Sequence, residues 1–390
     1  MLQHLIPFYQ PDVDQWTFEA RLLRWLTFSW LLVGLIILFS ASYPVALYEN
    51  GDGWFYFKRQ LGWILVALLA SKYIVKLPIK SMLKFSPYVY GFILVLVLAT
   101  ILGFGQEAHG AERWLKLGPI TIQPSEFLKP FIILQCASLF GAWQRKEWME
   151  KIIWLSIFAV SLGAILLQPN LSTTTLCGIT IWLMALAAGL SFIELGGAAA
   201  LGGLAGLASV MVNPYQMTRI TSFRDPWSQA QGSGYQLVQS LLAIGSGRVW
   251  GAGFGMSQQK LFYLPIQYTD FIFAVFSEEF GFVGAIALIL FIIFYATIAL
   301  IVALKSKHPI NRLVAVGVMT ILVGQSLLNI GVATGSLPTT GIPFPMLSYG
   351  GSSVTSSIIL TALLIRVAIE LDPNQATISP KFVETKEEIV

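Results

Sequence analysis

Charge is what this chain has least of. Asp, Glu, Lys and Arg make up only 11% of its 390 residues, against roughly 25% in soluble domains. That excludes an ordinary soluble enzyme. Cysteine is nearly absent too. Cys136 and Cys177 both sit inside apolar runs and read as packing residues rather than a disulfide or a thiolate metal centre. The three histidines, His4, His109 and His308, are scattered without ligand spacing. The first twenty residues carry Asp12, Asp14 and Glu19 and do not have the form of a cleavable signal peptide. Short alternating strands are also missing, which argues against a membrane β-barrel.

Long apolar runs are what the chain does have, with 56% of its residues hydrophobic. Stretches near 25–44, 60–79, 86–105, 125–143, 152–168, 171–189, 193–212, 280–304, 311–334 and 352–371 each approach the ~20 apolar residues that cross a bilayer. The expected fold is an all-α polytopic membrane protein of ten transmembrane helices, organised as an N-terminal segment 1–24, a membrane domain 25–371 and a polar tail 372–390. The tail holds Pro373 and Pro380 and reads as disordered. Gln168-Pro169-Asn170 is a tight turn that makes a hairpin of the fifth and sixth spans. Most of the 24 Lys and Arg residues fall on one side when both termini are placed inside, so the bias predicts N-in, C-in. The large loop 213–270, between the seventh and eighth spans, is then outside. The net charge of +4 reflects this topology and anionic inner lipids rather than a nucleic-acid partner. In the seventh span Ala198, Gly202 and Gly206 form a small-residue stripe. It suits close helix packing, or a loosely held helix that admits a lipid tail.

Four polar clusters fall on the outer side. In Gly110–Pro130, Pro124 and Ser125 read as a helix start, with Glu126 and Lys129 one turn inside the membrane. An ionisable pair at that depth faces protein or water, so it is either a structural salt bridge or part of a phosphate site facing an outer cavity. The loop 213–270 is too long to be structureless without a function. It carries Arg219, Arg224, Asp225, Arg248 and Lys260, and its Gly-bracketed middle, 232–255, suits a short interfacial helix. Next come Asp270, Glu278 and Glu279. On a helix running continuously from Asp270, Glu278 lies deeper and Glu279 on the opposite face. Asp270 alone then sits at the depth of a lipid headgroup, as a reactive acid or as a helix N-cap. Last is Gly335–Ser353, an uncharged loop with three prolines. Its Gly350-Gly351-Ser352-Ser353 start of the tenth span offers donors to an anion, or serves as a re-entrant or lid loop.

ERWLKLGPITIQPSEFLK, GSGYQ…AIGSG, TDFIFAV…EE-x-G and LPTTGIP-x-P-x-x-SYGGSS occur in that order. Together they resemble the SEDS family (shape, elongation, division, sporulation), which includes RodA and FtsW. The LPTTGIP and SYGGSS wording is closer to the division-type branch. The resemblance spans about residues 25 to 371. It implies a ten-helix bundle in the bacterial cytoplasmic membrane, at the division septum for that branch. It also implies a glycosyltransferase that polymerises lipid II into a growing glycan strand, beside a class B penicillin-binding protein and other division proteins. The family's catalytic acid matches Asp270, and its Glu-x-x-Lys pair matches Glu126 and Lys129. The chain departs from the family at two places. LPE-x-HTD is usual where this chain has Ile266 and Tyr268, and Q/E-P-D where it has Gln168-Pro169-Asn170.

Such a reaction needs a base for a sugar hydroxyl, for which Asp270 is the candidate. It also needs cations against a diphosphate leaving group. Lys129, Arg113, Arg219, Arg224 and Arg248 are candidates that sequence does not rank, with Glu126, Ser352 and Ser353 as further binding candidates. A divalent cation, magnesium or manganese, would serve the same end. Two rival readings are a lipid II flippase, which would carry charge through the inner halves of the spans, and a non-catalytic division scaffold.

Overall fold

A computed structural model describes residues 13–108, 111–118 and 120–372, so the predicted tail after Asp372 lies outside the described residues. Twelve α-helices, α1 to α12, account for most of them. A helix occupies each of the ten apolar stretches: α1 Phe18–Asn50, α2 Phe55–Lys76, α3 Ile79–Ala99, α4 Pro124–Phe140, α5 Trp148–Leu167, α6 Leu171–Ala187, α7 Phe192–Val212, α10 Ile272–Lys305, α11 Pro309–Ala333 and α12 Gly351–Ile369. By length and composition seven of these could cross a membrane, α2, α4 and α6 falling short of that mark. Local chemistry sets many ends. Thr17 caps α1, which stops at left-handed Gly51, where a missing Cβ removes the penalty. Asn170 caps α6, Ser191 and Glu194 form a capping box on α7, and prolines open α4 and α11, where the absent N–H is not needed.

α12 is the centre. Nearly all its side chains are buried, packed among α1, α2, α4 and α11. At the other extreme, α7 buries only Leu195. The glycines of its small-residue stripe have open space where a Cβ would stand, so the close packing expected there is not made within this chain.

Three expectations need correcting. The segment 213–270 is not structureless: it folds into α8, Pro214–Arg224, and α9, Tyr235–Ser246, the latter where the glycine-bracketed middle suggested a helix. Residues 106–122 form three antiparallel strands, β1 Gln106–Ala108, β2 Ala111–Leu117 and β3 Ile120–Ile122. Finally, α10 is not continuous. Gly281 takes φ 68°, ψ −167°, a conformation essentially reserved for glycine, and separates a buried half-helix from the long apolar one. The carbonyls freed at the break are satisfied by the chain after α9. Ala252 and Gly253 N–H donate to the Glu278 and Glu279 carbonyls at 2.9 and 3.0 Å, and Phe282 N–H donates to Arg248 at 2.9 Å.

Glu278 and Glu279 clamp the same chain with their side chains. Glu278 accepts from Ser257 Oγ and from the Gln258 N–H at 2.9 Å. Glu279 accepts from Lys260 at 2.7 Å and Ser40 at 2.6 Å. These acids organise the loop and leave Asp270 alone.

Candidate active site

A cavity of about 820 Å³ opens where the β-sheet, α8, the segment before α10 and the loop before α12 meet. That lies within the range of roughly 300–1,000 Å³ usual for small-molecule sites. Asp270 is the one carboxylate lining it among the described residues, in company with Arg113, Arg219, Arg59 and Ser353.

The backbone holding Asp270 is pinned at three consecutive carbonyls. Tyr268 O accepts from the Tyr349 N–H at 2.9 Å, Thr269 O from Ser348 Oγ at 2.5 Å, and Asp270 O from Asn329 Nδ2 at 2.8 Å. The N-cap of α10 is Phe271, with no side-chain cap. Asp270 is therefore free of the capping role that sequence left open, and its half-buried carboxyl faces the cavity. Desolvation by the surrounding protein pushes that carboxyl up to about 6, against the opposing pull of Arg219 and Arg113.

Both arginines are held by neutral groups. Arg113, on β2, donates Nε to Gln168 O at 2.9 Å and Nη2 to Pro169 O. The turn that lacks the family's usual carboxylate thus presents carbonyls, which orient the guanidinium without neutralising it. Arg219, on α8, donates to Thr339 O at 3.1 Å and Tyr215 Oη at 2.5 Å. Gly341 lies beside both kinds of group: a Cβ there would stand 3.6 Å from Arg113 Nη1 and 3.7 Å from Asp270 Oδ2. A base and two uncompensated cations around one void can take a proton from a neutral nucleophile while stabilising an anionic leaving group.

The other sequence candidates lie elsewhere. Arg224 and Arg248 are exposed and outside the cavity lining. Ser353 lines the cavity, whereas Ser352 Oγ accepts from the Gln123 N–H at 3.0 Å. Glu126 and Lys129 were expected to face an outer cavity. They are instead 2% and 1% exposed, sealed in the bundle with Lys129 Nζ donating to Glu126 Oε1 at 2.6 Å and Gln325 Oε1 at 2.9 Å. Burial of the pair is tolerable because each charge finds its partner and Gln325 takes a further ammonium proton. Gln325 then donates to Pro343 O at 2.8 Å, and Asn329, one turn along α11, donates to Ile342 O at 2.9 Å. The Lys129 ammonium is thus linked to the cavity wall through Gln325 and Pro343. Sequence reading missed Gln325, Asn329 and Ser348, whose signal is weak. Their i, i+4 spacing on an otherwise apolar span (Gln325, Asn329) is the one hint.

Comparison with known proteins agrees. A family model described as "Cell cycle protein", for the FtsW, RodA and SpoVE group, matches residues 20–372. A Synechocystis protein named "Probable peptidoglycan glycosyltransferase FtsW" is 52% identical, over 99% of this chain and 98% of its own length. One from Mesostigma viride named "Putative peptidoglycan glycosyltransferase FtsW" is 49% identical, over 95% and 89%. A solved structure described as "Structural coordination of polymerization and crosslinking by a peptidoglycan synthase complex" superposes with a TM-score of 0.72 at 25% identity, covering 90% of this chain and 97% of that one. With its motifs, its helical fold and a family match over nearly its whole length, this chain belongs to the FtsW/RodA/SpoVE family.

Proposed function

We propose that this chain is a peptidoglycan glycosyltransferase that polymerises lipid II on the outer face of the cytoplasmic membrane, for septal synthesis in cell division. The observation that carries the reading is Asp270, pinned at its backbone and facing a cavity that Arg113 and Arg219 also line. In the reaction, the acceptor sugar's 4-hydroxyl oxygen bonds to the anomeric carbon of the donor, and its proton passes to an Asp270 carboxylate oxygen. The anomeric C–O bond breaks, and the diphosphate leaves with the electron pair. Arg113 and Arg219 meet the developing negative charge. Among the described residues no three His, Cys, Asp or Glu side chains come together. A divalent cation would thus be held by Asp270 with oxygens of the diphosphate itself, a ligand set that suits magnesium.

The same reading places ten spans in the bilayer with both termini inside, which turns the cavity and residues 213–270 outward. A class B penicillin-binding protein, which cross-links the strands this chain makes, is the expected partner. The relatives' names and the peptidoglycan synthase complex of the structural neighbour support it.

The test is polymerisation of lipid II by the purified protein. Asp270→Asn keeps the size of the side chain but cannot accept the proton, so glycan synthesis should fall by about 10²–10⁴-fold while the protein stays folded. Synthesis within a few-fold of the parent would refute the assignment.

A further inference from the structure

Aromatic and cationic groups line both sides of the cavity. Arg113 and Arg219 stand with Trp114, Tyr215 and Tyr235, whereas Trp63, Tyr268 and Tyr349, near α2, stand with the single cation Arg59. These rings belong to a built cluster. Tyr268 stacks on Tyr56 with centroids 4.7 Å apart and planes at 27°. Tyr349 stands edge-on to Tyr56 and Tyr268, at 4.9 and 5.9 Å. Tyr56 in turn donates to Glu49 at 2.6 Å. Trp63 lies flush on Gly351, where a Cβ would meet the indole at 2.4 Å, and Arg59 lines the void with Tyr349.

Trp63, Tyr268 and Tyr349 keep part of their surface on the void. A lipid tail would meet apolar groups alone, whereas this wall carries hydroxyls and a guanidinium. A diphosphate would meet one cation here, Arg59, against two on the α8 side, and the ring faces add no attraction for it. A pyranose ring fits on every count. Its C–H edges carry partial positive charge for the ring faces, and its hydroxyls and N-acetyl carbonyl suit Arg59 and the phenols. Tyr268 is two residues from Asp270, so their Cα atoms lie within about 7 Å of each other, and both side chains line the same cavity.

We infer that the Trp63–Tyr268–Tyr349 wall is a saccharide subsite. It holds the N-acetylhexosamine whose hydroxyl meets Asp270, with the diphosphate on the Arg113–Arg219 side. The inference rests on the glycosyltransferase reading and deepens it. Tyr268 stands where the family pattern in the resemblance often reads histidine, and here it stacks on Tyr56 instead.

The test uses two probes on the purified full-length protein: a lipid-free tetrasaccharide of alternating N-acetylhexosamines without peptide stems, and a polyprenyl diphosphate without sugar. Loss of one aromatic face should weaken tetrasaccharide binding by roughly tenfold. Trp63→Leu and Tyr349→Leu are expected to show that loss and to bind the polyprenyl diphosphate as the parent does, which also reports that they are folded. Tyr349→Phe, which keeps the ring, should retain tetrasaccharide binding, and Arg219→Met should lose the diphosphate selectively. Unchanged tetrasaccharide binding in Trp63→Leu overturns the subsite, as does a loss confined to the diphosphate. Polymerisation is read on the same samples. A parent that polymerises lipid II but binds the tetrasaccharide without using the rings refutes the subsite and spares the enzyme assignment. A parent that binds it through the rings yet makes no glycan does the reverse.

Discussion

At the scale of single residues, Asp270 draws its chemistry from its surroundings. An unfolded aspartate ionises near 3.8 and the folded one near 6, because desolvation outweighs the two arginines. Between those values the folded state holds the extra proton, so stability falls as pH rises through that window. Activity moves the other way, since the base must be ionised. The rate should climb to a plateau above pH about 6, the acidic limb reporting Asp270. Arg219→Met removes a group that favours the carboxylate, so its limb should shift to higher pH. A parent limb near 4, or one that does not move in the variant, would count against this electrostatic picture. Lys129 acts at the same scale but from inside the bundle. Lys129→Met strands Glu126, which costs about 3–5 kcal/mol, whereas the Glu126→Leu/Lys129→Met double change should recover most of that stability. Thermal melting and polymerisation are measured together. Recovery of both marks the pair as a prop for Gln325 and Pro343. Stability without polymerisation would return Lys129 to a direct role with the diphosphate.

At the scale of elements, the break in α10 decides where Asp270 sits. The half-helix Ile272–Phe280 is buried almost throughout, which no lone helix end could sustain without partners for its open carbonyls. The chain from Gly247 to Lys260 supplies them, and backbone meets backbone at Gly281, where a Cβ would lie 2.3 Å from Gly251 N. Gly281→Ala should therefore lower the melting temperature sharply, its strained φ/ψ alone costing about 1–3 kcal/mol. Gly202→Ala, in open space on α7, is the contrast, and helix propensity makes it neutral or stabilising by up to ~1 kcal/mol. Equal melting of the two variants would show that the break bears no strain. The open face of α7 also means that its small residues leave lipid or another chain as neighbour.

For the whole molecule, the cavity and the long segment between α7 and α10 share one end of the bundle. In the topology proposed from the charge bias, that end faces outward. A cysteine placed at Ser228, in the turn after α8, should react with an impermeant reagent in intact cells. Labelling only after permeabilisation would invert the bundle and remove the cavity from any extracytoplasmic substrate.

The sequence by itself determined the helices and the class of protein. Apolar runs of bilayer length, prolines at helix starts and Ser, Thr or Asn caps are local signals, and the physics they report is local. The family resemblance also pointed to Asp270, but Arg113 and Arg219 stood unranked beside Lys129, Arg224 and Arg248. Tertiary structure decided the rest, because those decisions depend on groups far apart in sequence. Arg113 enters the site only because the Gln168-Pro169 turn offers it carbonyls, while Arg224 and Arg248 turn away. Glu126 and Lys129 look like a headgroup site by composition, yet packing against Gln325 seals them. The β-strands and the break at Gly281 gave little local periodicity to read. Their backbone groups are satisfied by segments that only folding brings alongside, and so they become visible only in three dimensions.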